Sequence, residues 1–323
     1  MGYVAGETIL DDEFNAFVAS SSDPYGFNHF AGTGATVYGL GQPAIPTVAG
    51  GTTTVAAAQW NSLLAGLDSI ANHTNDTMTA RTAVTAGDTI AIKSAVAADL
   101  ATLAASVAGG SVNATAISAG SELQSSRASG RFAGSHIVEH TVTFANANNM
   151  RFFFNAGGKI RVNLTRVANG GSSATSKDDS VDEMITAMGD FDIASVASTR
   201  SGTTETLTTD GLAIGFQDVT TSYQTVFLLT QANGTYTSMT LKGEIKGNAT
   251  AGSTTNVTIK MSLTDADSGD ILYTSGNLSS VDVNENFLGQ TDFATKLMLP
   301  TTAQGLNPVY TLSGSAETSN TTA

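Results

Sequence analysis

Two short stretches of this chain carry residues whose types and spacing could do chemistry. His136-Ile-Val-Glu139-His140 matches the H-x-x-E-H string of one class of zinc proteases. In that class the two imidazoles bind metal from one face of a helix. Here the flanks alternate, with Val138, Val142 and Phe144 against Thr141 and Thr143, and a period of two is that of a strand. On a strand Glu139 points away from both histidines, so the string predicts strand residues near a domain junction rather than a zinc centre. The second stretch, Asp265-Ala-Asp267-Ser-Gly269-Asp270, sets hard oxygen donors at alternate positions, as at the start of a calcium loop. It lacks the later bidentate glutamate of an EF-hand, and a plain Asp-Gly hairpin turn is the competing reading. Asp265, Asp267 and Asp270 are thus candidate metal ligands with Ca²⁺ as the candidate cation; no other cofactor and no catalytic residue is expected.

Other chemistry finds little support. Cysteine is absent, which removes disulfides, a thiolate nucleophile and Cys-type zinc. The glycine-rich Gly32–Gly41 loop has no preceding strand, directly following helix or lysine, which a phosphate cradle would need. Asp178, Asp179, Asp182 and Glu183 suit a solvated helix start, where carboxylates complement the dipole. No Ser/His/Asp set or nucleotide fingerprint appears, so the expectation is a protein that is not an enzyme. A net charge of −14 argues against wrapping nucleic acid. Only 13% of residues are charged; Gly, Ala, Thr, Ser and Asn take their place, a composition common in β-rich assemblies of repeated subunits. The N-terminus lacks a basic start, and no apolar run approaches the roughly 20 residues that span a bilayer. The expectation is a soluble chain assembled in a cytoplasm.

The elements that must position these residues fall into three regions. Residues 1–108 read as a helical repeat and assembly region, 109–134 as a Gly/Ser/Ala-rich linker, and 135–323 as an antiparallel, jelly-roll-like β-sandwich, giving an α+β, mainly β fold class. In the first region a Gly–Thr–β-branched lead-in precedes Phe14-Asn15, and a similar one precedes Trp60-Asn61, 46 residues later. A third, Ala86-Gly87-Asp88-Thr89-Ile90, precedes an alanine-rich stretch. Chance similarity in a low-complexity background is the alternative, but the aromatic–Asn step at both sites favours duplication. Helices are predicted over Ala58–Asn72 and Thr89–Val107, and a short one over Val181–Met188.

From His136 the period becomes two. Strands are predicted at His136–Phe144, Arg151–Asn155, Lys159–Val167, Leu212–Phe216, Gln224–Thr230, Thr237–Ile245, Asn256–Thr264, Ile271–Leu278, Leu297–Leu299 and Val309–Leu312. Phe152, Phe153 and Phe154, in a chain with 7% aromatics, must be buried. With Gly157 and Gly158 supplying positive φ angles, Arg151–Val162 predicts the first hairpin of the β domain, its phenylalanines anchoring the sandwich core. Ile160, Val162 and Leu164 alternate with Arg161, Asn163 and Thr165. Phe14, Trp60, Asn61, the three phenylalanines and the two glycines are the expected structural and assembly residues.

The combination of GTGATVYGLGQ (Gly32 to Gln42), a lead-in to a helix carrying Gln59-Trp60-Asn61, and HTVTFANANNMRFFFNAGGKIRV (His140 to Val162) resembles structural proteins of tailed bacteriophages. It is most similar to the virion structural or tail-fibre-like proteins of marine and cyanobacterial phages. The resemblance runs in order over most of the chain and departs in the stretched Phe30–Gly41 segment and the alanine-rich helices. It implies a virion protein, a repeated subunit of a tail, neck or fibre, or a capsid decoration. It also implies partners among copies of itself in cyclic symmetry and other virion proteins. A β-sandwich adhesin that reads host-surface glycans, with Tyr25, Tyr223 and Tyr236 at loop tips and Ca²⁺ at Asp265–Asp270, is the alternative.

Overall fold

The computed structural model describes residues 11–21, 24–30, 44–49, 55–74, 76–86, 93–109, 117–126, 131–132, 134–167, 176–202, 207–210, 212–231, 237–266, 270–273, 280–283, 287–288, 290–300 and 312–322. The fold is α+β and mostly β. The chain divides into two compact units. Unit one comprises Met1–Ser118, Asn146–Gly158 and Pro300–Thr311; unit two comprises Ala119–Ala145, Lys159–Leu299 and Leu312–Ala323.

Unit one holds α1 (Asp11–Val18), α2 (Phe27–Phe30), α3 (Ala57–Thr74) and α4 (Lys93–Gly109). Its core gathers Phe14 and Val18 of α1, Phe27 of α2, Trp60, Leu63, Leu64, Leu67 and Ile70 of α3, and Val96, Leu100 and Leu103 of α4. The spacing of three and four within α3 and α4 puts these side chains on one stripe of each helix. Between the helices run two extended segments, 44–49 and 76–86. Among the described residues neither has a strand beside it, yet their backbone N–H and C=O groups still need partners.

The phenylalanine triplet belongs to a helix, not a hairpin. Ala147–Asn155 forms α5, which lies in unit one. Its start and stop signals are complete. Asn146 caps the N-terminus by accepting from the Asn149 N–H at 2.9 Å. At the other end the Gly157 N–H reaches the Phe154 carbonyl at 3.0 Å and the Gly158 N–H reaches that of Phe153 at 2.9 Å, the paired bonds of a Schellman motif. Gly157 takes φ 91° as that motif requires. Gly158 does not share the positive φ; a Cβ there would lie 2.6 Å from the Phe153 oxygen. The expected strand at Arg151–Asn155 and the hairpin built on it are therefore overturned, because capping and a Met150–Phe153–Phe154 helical stripe outweigh the β-propensity of phenylalanine. Burial of the triplet is as expected, at 6%, 0% and 0% exposure, but its place is unit one rather than the core of the sheets.

Unit two is built on two antiparallel sheets. The first orders β1 (Ile117–Ser126), β14 (Gln290–Pro300), β4 (Lys159–Val167), β5 (Phe191–Ile193) and β6 (Thr199–Arg200) side by side. The second orders β15 (Leu312–Thr322), β3 (Gly134–Phe144), β10 (Asn256–Asp265), β9 (Thr240–Gly247), β8 (Gln224–Thr230) and β7 (Leu207–Asp210). Two short ribbons pair β11 (Asp270–Tyr273) with β12 (Ser280–Val283) and β13 (Phe287–Leu288) with β2 (Arg131–Phe132). Helix α6 (Ser176–Met188) crosses between β4 and β5 in sequence, longer than the expected Val181–Met188. The stretch 109–134, read as a linker, supplies β1 and β2. Leu212–Phe216 is not a strand; the chain turns there into a 3₁₀ turn at Phe216–Asp218. Lys159–Val167 and Gln224–Thr230 fall where alternation put them, and Ile160, Val162 and Leu164 are buried while Arg161 and Asn163 are half-buried. The Gly32–Gly41 loop, Tyr236 and Asp267 lie outside the described residues.

Candidate functional site

The two histidines of the H-x-x-E-H string face inward from β3, 0% and 2% exposed. Residues i and i+4 on a strand share a face, so both rings meet β14 of the other sheet. His136 Nδ1 bonds the Thr291 hydroxyl at 3.0 Å and His140 Nδ1 bonds that of Thr295 at 2.8 Å. His140 Nε2 bonds the Ser125 hydroxyl of β1 at 2.7 Å. The His136 ring also lies 5.2 Å from that of Phe293. Each hydroxyl can turn to donate or accept, so either imidazole tautomer is satisfied. Glu139 alternates to the opposite face, as the strand reading requires, in register with Lys260. The geometry makes a polar seam that joins the two sheets, and it leaves no face of His140 open to a metal on either nitrogen.

On that opposite face Lys260, Lys242 and Lys246 surround Glu244 and Tyr223. Glu244 takes Lys242 Nζ at 2.6 Å and Lys260 Nζ at 3.0 Å. Burial works against its ionisation, but the two lysine hydrogen bonds prevail and hold the carboxyl below its ordinary range. Lys246 and Lys260 lie over the Tyr223 ring, 4.1 and 4.7 Å from its centre. Burial, then Glu139, raises the Tyr223 phenol above its usual value. Tyr223 lies in the loop before β8 and is half-buried, with the two lysines over its ring.

The candidate calcium loop is placed differently for each carboxylate. Asp265 turns inward and its Oδ2 accepts from Lys177 Nζ at 2.8 Å, with side chains 0% and 1% exposed. A lysine ammonium thus holds the position beside that oxygen where a cation would sit. Asp270 opens β11, paired with Val283. Among the described residues no three His, Asp or Glu side chains gather as a metal cluster. Asp178 and Asp182 are engaged by Arg166, Asp178 at 3.6 Å.

In unit one the aromatic–Asn steps acquire a shared role that the sequence did not disclose. Asn15 Nδ2 donates to the Val48 carbonyl at 3.0 Å while its Oδ1 accepts from the Val48 N–H at 2.8 Å. Asn61 does the same to Val84, at 3.0 and 2.9 Å. A third clamp, Asn28 on Ile45, repeats the geometry at 2.9 and 2.8 Å. A side-chain amide carries one acceptor and donors in one plane, much as a peptide unit does, so each asparagine replaces the neighbouring strand at one residue. Asp99 of α4 adds a further hook, accepting from the Thr79 N–H and hydroxyl and lying 2.6 Å from Arg81. The aromatic members of the two steps also meet, Phe14 and Trp60 edge to face at 5.7 Å.

Arg151 of α5 is a different kind of group. It is 3% exposed, donates to Ser69 at 3.2 Å and to Asn148 at 2.7 Å, and leaves Nε without an acceptor. Burial lowers its guanidinium to about 10. No protein-family model, curated protein or solved structure matches the chain. Among the described residues no helix is long and apolar enough to cross a membrane.

Proposed function

We propose that the chain is a non-enzymatic virion structural subunit, a repeated component of a phage tail, neck or fibre that acts through packing against copies of itself. The reading rests on the sequence resemblance, and one observation supports it. The side chains best suited to chemistry are committed to holding backbone and sheets together: Asn15 and Asn61 on straps, His136 and His140 across the sheets, Asp265 on Lys177. Within this reading α1 and α3 are two copies of one helix-and-strap unit. The two sheets are the faces of a sandwich, with β7–β10 following one another as a meander. Native mass spectrometry at micromolar concentration tests the proposal: homo-oligomers are expected, and a 32.9 kDa monomer alone would sink it. Mass spectrometry of purified virions with copy-number estimation separates tail, neck, fibre and decoration. The glycan-binding alternative retains Tyr25, 40% exposed beside His29; binding on a glycan array that disappears in Tyr25→Ala would favour it.

A further inference from the structure

Lys177 and Asp265 form the most enclosed pair of opposite charges among the described ion pairs, with 1% and 0% of their side-chain surfaces exposed. One sits in the first turn of α6 and the other ends β10, 88 residues apart in the chain. Removing two charges from water is costly, and their attraction repays it only in part. An enclosed amine and carboxyl have a second way to shed that cost. Nζ of Lys177 lies 2.8 Å from Oδ2 of Asp265, so the two partners of an amide bond are already in contact. An amine is a nucleophile, and a carboxyl carbon is the acyl group it can take up. The fold holds them in contact, which substitutes for a high concentration of reactants. Exclusion of water also withholds the reagent of the reverse reaction.

We propose that Lys177 and Asp265 condense to an intramolecular isopeptide bond. In the step, Lys177 Nζ gives its hydrogen-bond proton to the Asp265 carboxylate and attacks Cγ, and the C–N bond forms. A proton moves from nitrogen to the departing hydroxyl, the C–O bond breaks, and one water leaves; no oxidant, reductant or co-reactant enters. The product is a neutral amide joining the start of α6 to the end of β10. In a chain without cysteine it supplies the constraint on the unfolded state that a disulfide supplies elsewhere. This inference goes beyond the proposed function and does not depend on it.

Intact-mass measurement of the denatured chain tests it. The wild-type chain is expected to be lighter than its sequence by one water. Lys177→Arg, which keeps the positive charge but offers no acylable amine, is expected at full mass. Trypsin should pass over Lys177 and release a branched peptide, Val167–Arg200 joined to Met261–Lys296. A wild-type chain at full sequence mass overturns the proposal. So does a water loss that persists in Lys177→Arg, which would mark a succinimide elsewhere. If Lys177→Arg does not accumulate, the branched peptide in the wild-type digest decides alone, and its absence is a refutation.

Discussion

The two units solve one problem, an extended backbone that must be hydrogen-bonded, in different ways. In unit two the segment from Gly134 to Phe144 lies between two neighbours, with β10 on one side and β15 on the other. Every residue shares in a ladder, and a slip by one residue would turn the whole inward set outward. In unit one the segments 44–49 and 76–86 hang on a few side chains: Asn28 and Asn15 hold one, Asn61, Asp99 and Ser106 the other. A ladder distributes the loss of one bond among many, whereas a strap concentrates it. Structure built from side-chain amides should be locally fragile, and structure built from ladders locally tolerant.

The largest test of that contrast comes from the cores. Trp60→Ala empties a site 1% exposed at the meeting of α1 and α3 and should cost about 3–5 kcal/mol. Hydrogen exchange should then rise across unit one and leave β3, β10 and β9 protected. Equal loss in both units would mean that they open as one body and would break the comparison. Next is Asn61→Ala, which strands the Val84 N–H and carbonyl and should cost about 1–3 kcal/mol. Exchange should rise first at 76–86, and Asn61→Asp, which keeps the acceptor alone, should restore only part of the loss. His140→Leu is the counterpart in unit two. It removes the His140 bonds to the Ser125 and Thr295 hydroxyls and should also cost about 1–3 kcal/mol. Its loss should appear as a lower urea midpoint, with the β3 amides still exchanging late because the ladder remains. Gly157→Ala should cost about 1 kcal/mol through its positive φ and fray the end of α5 alone.

The smallest effect concerns acid. The Glu244 carboxyl is held below its ordinary value, so its stabilisation is complete above the unfolded pKa of about 4.3 and is lost as pH falls through the lower folded value. Its partners Lys242 and Lys260 are partly solvated, which limits the contribution to about 0.5 kcal/mol or less. Urea midpoints of wild type and Glu244→Gln should differ at pH 6 and converge near pH 3; a constant gap would assign the effect to packing instead.

What the sequence disclosed followed from local period. β3, β4 and β10 were legible because polar and apolar residues alternate along most of the strand, β8 as a short apolar run rich in strand-formers, and α3 because its leucines fall on one stripe. The phenylalanine triplet has the β-propensity of a strand, yet the Asn146 cap and the Gly157 stop, both visible in the sequence, make it a helix. The roles of the histidines were half legible: alternation turned them inward, but Thr291 and Thr295 lie 155 residues away along the chain. The aromatic–Asn steps were noticeable as a repeat, yet nothing local marks Val48 or Val84 as the residues they hold. Asp265 read as part of a turn because its partner Lys177 comes from a helix far earlier in the chain.

The detour through α5 has a consequence for the order of events during synthesis. Unit one is begun by α1 to α4, but its Phe153 and Phe154 leave the ribosome only after β1, β2 and β3 of unit two have been made. At about 5–20 residues per second that interval is on the order of seconds. For that time the nascent helices stand without Phe153 and Phe154, while β3 awaits β10 and β15. The newborn chain is thus obliged to keep two unfinished cores open at once, since each unit takes residues made after position 299.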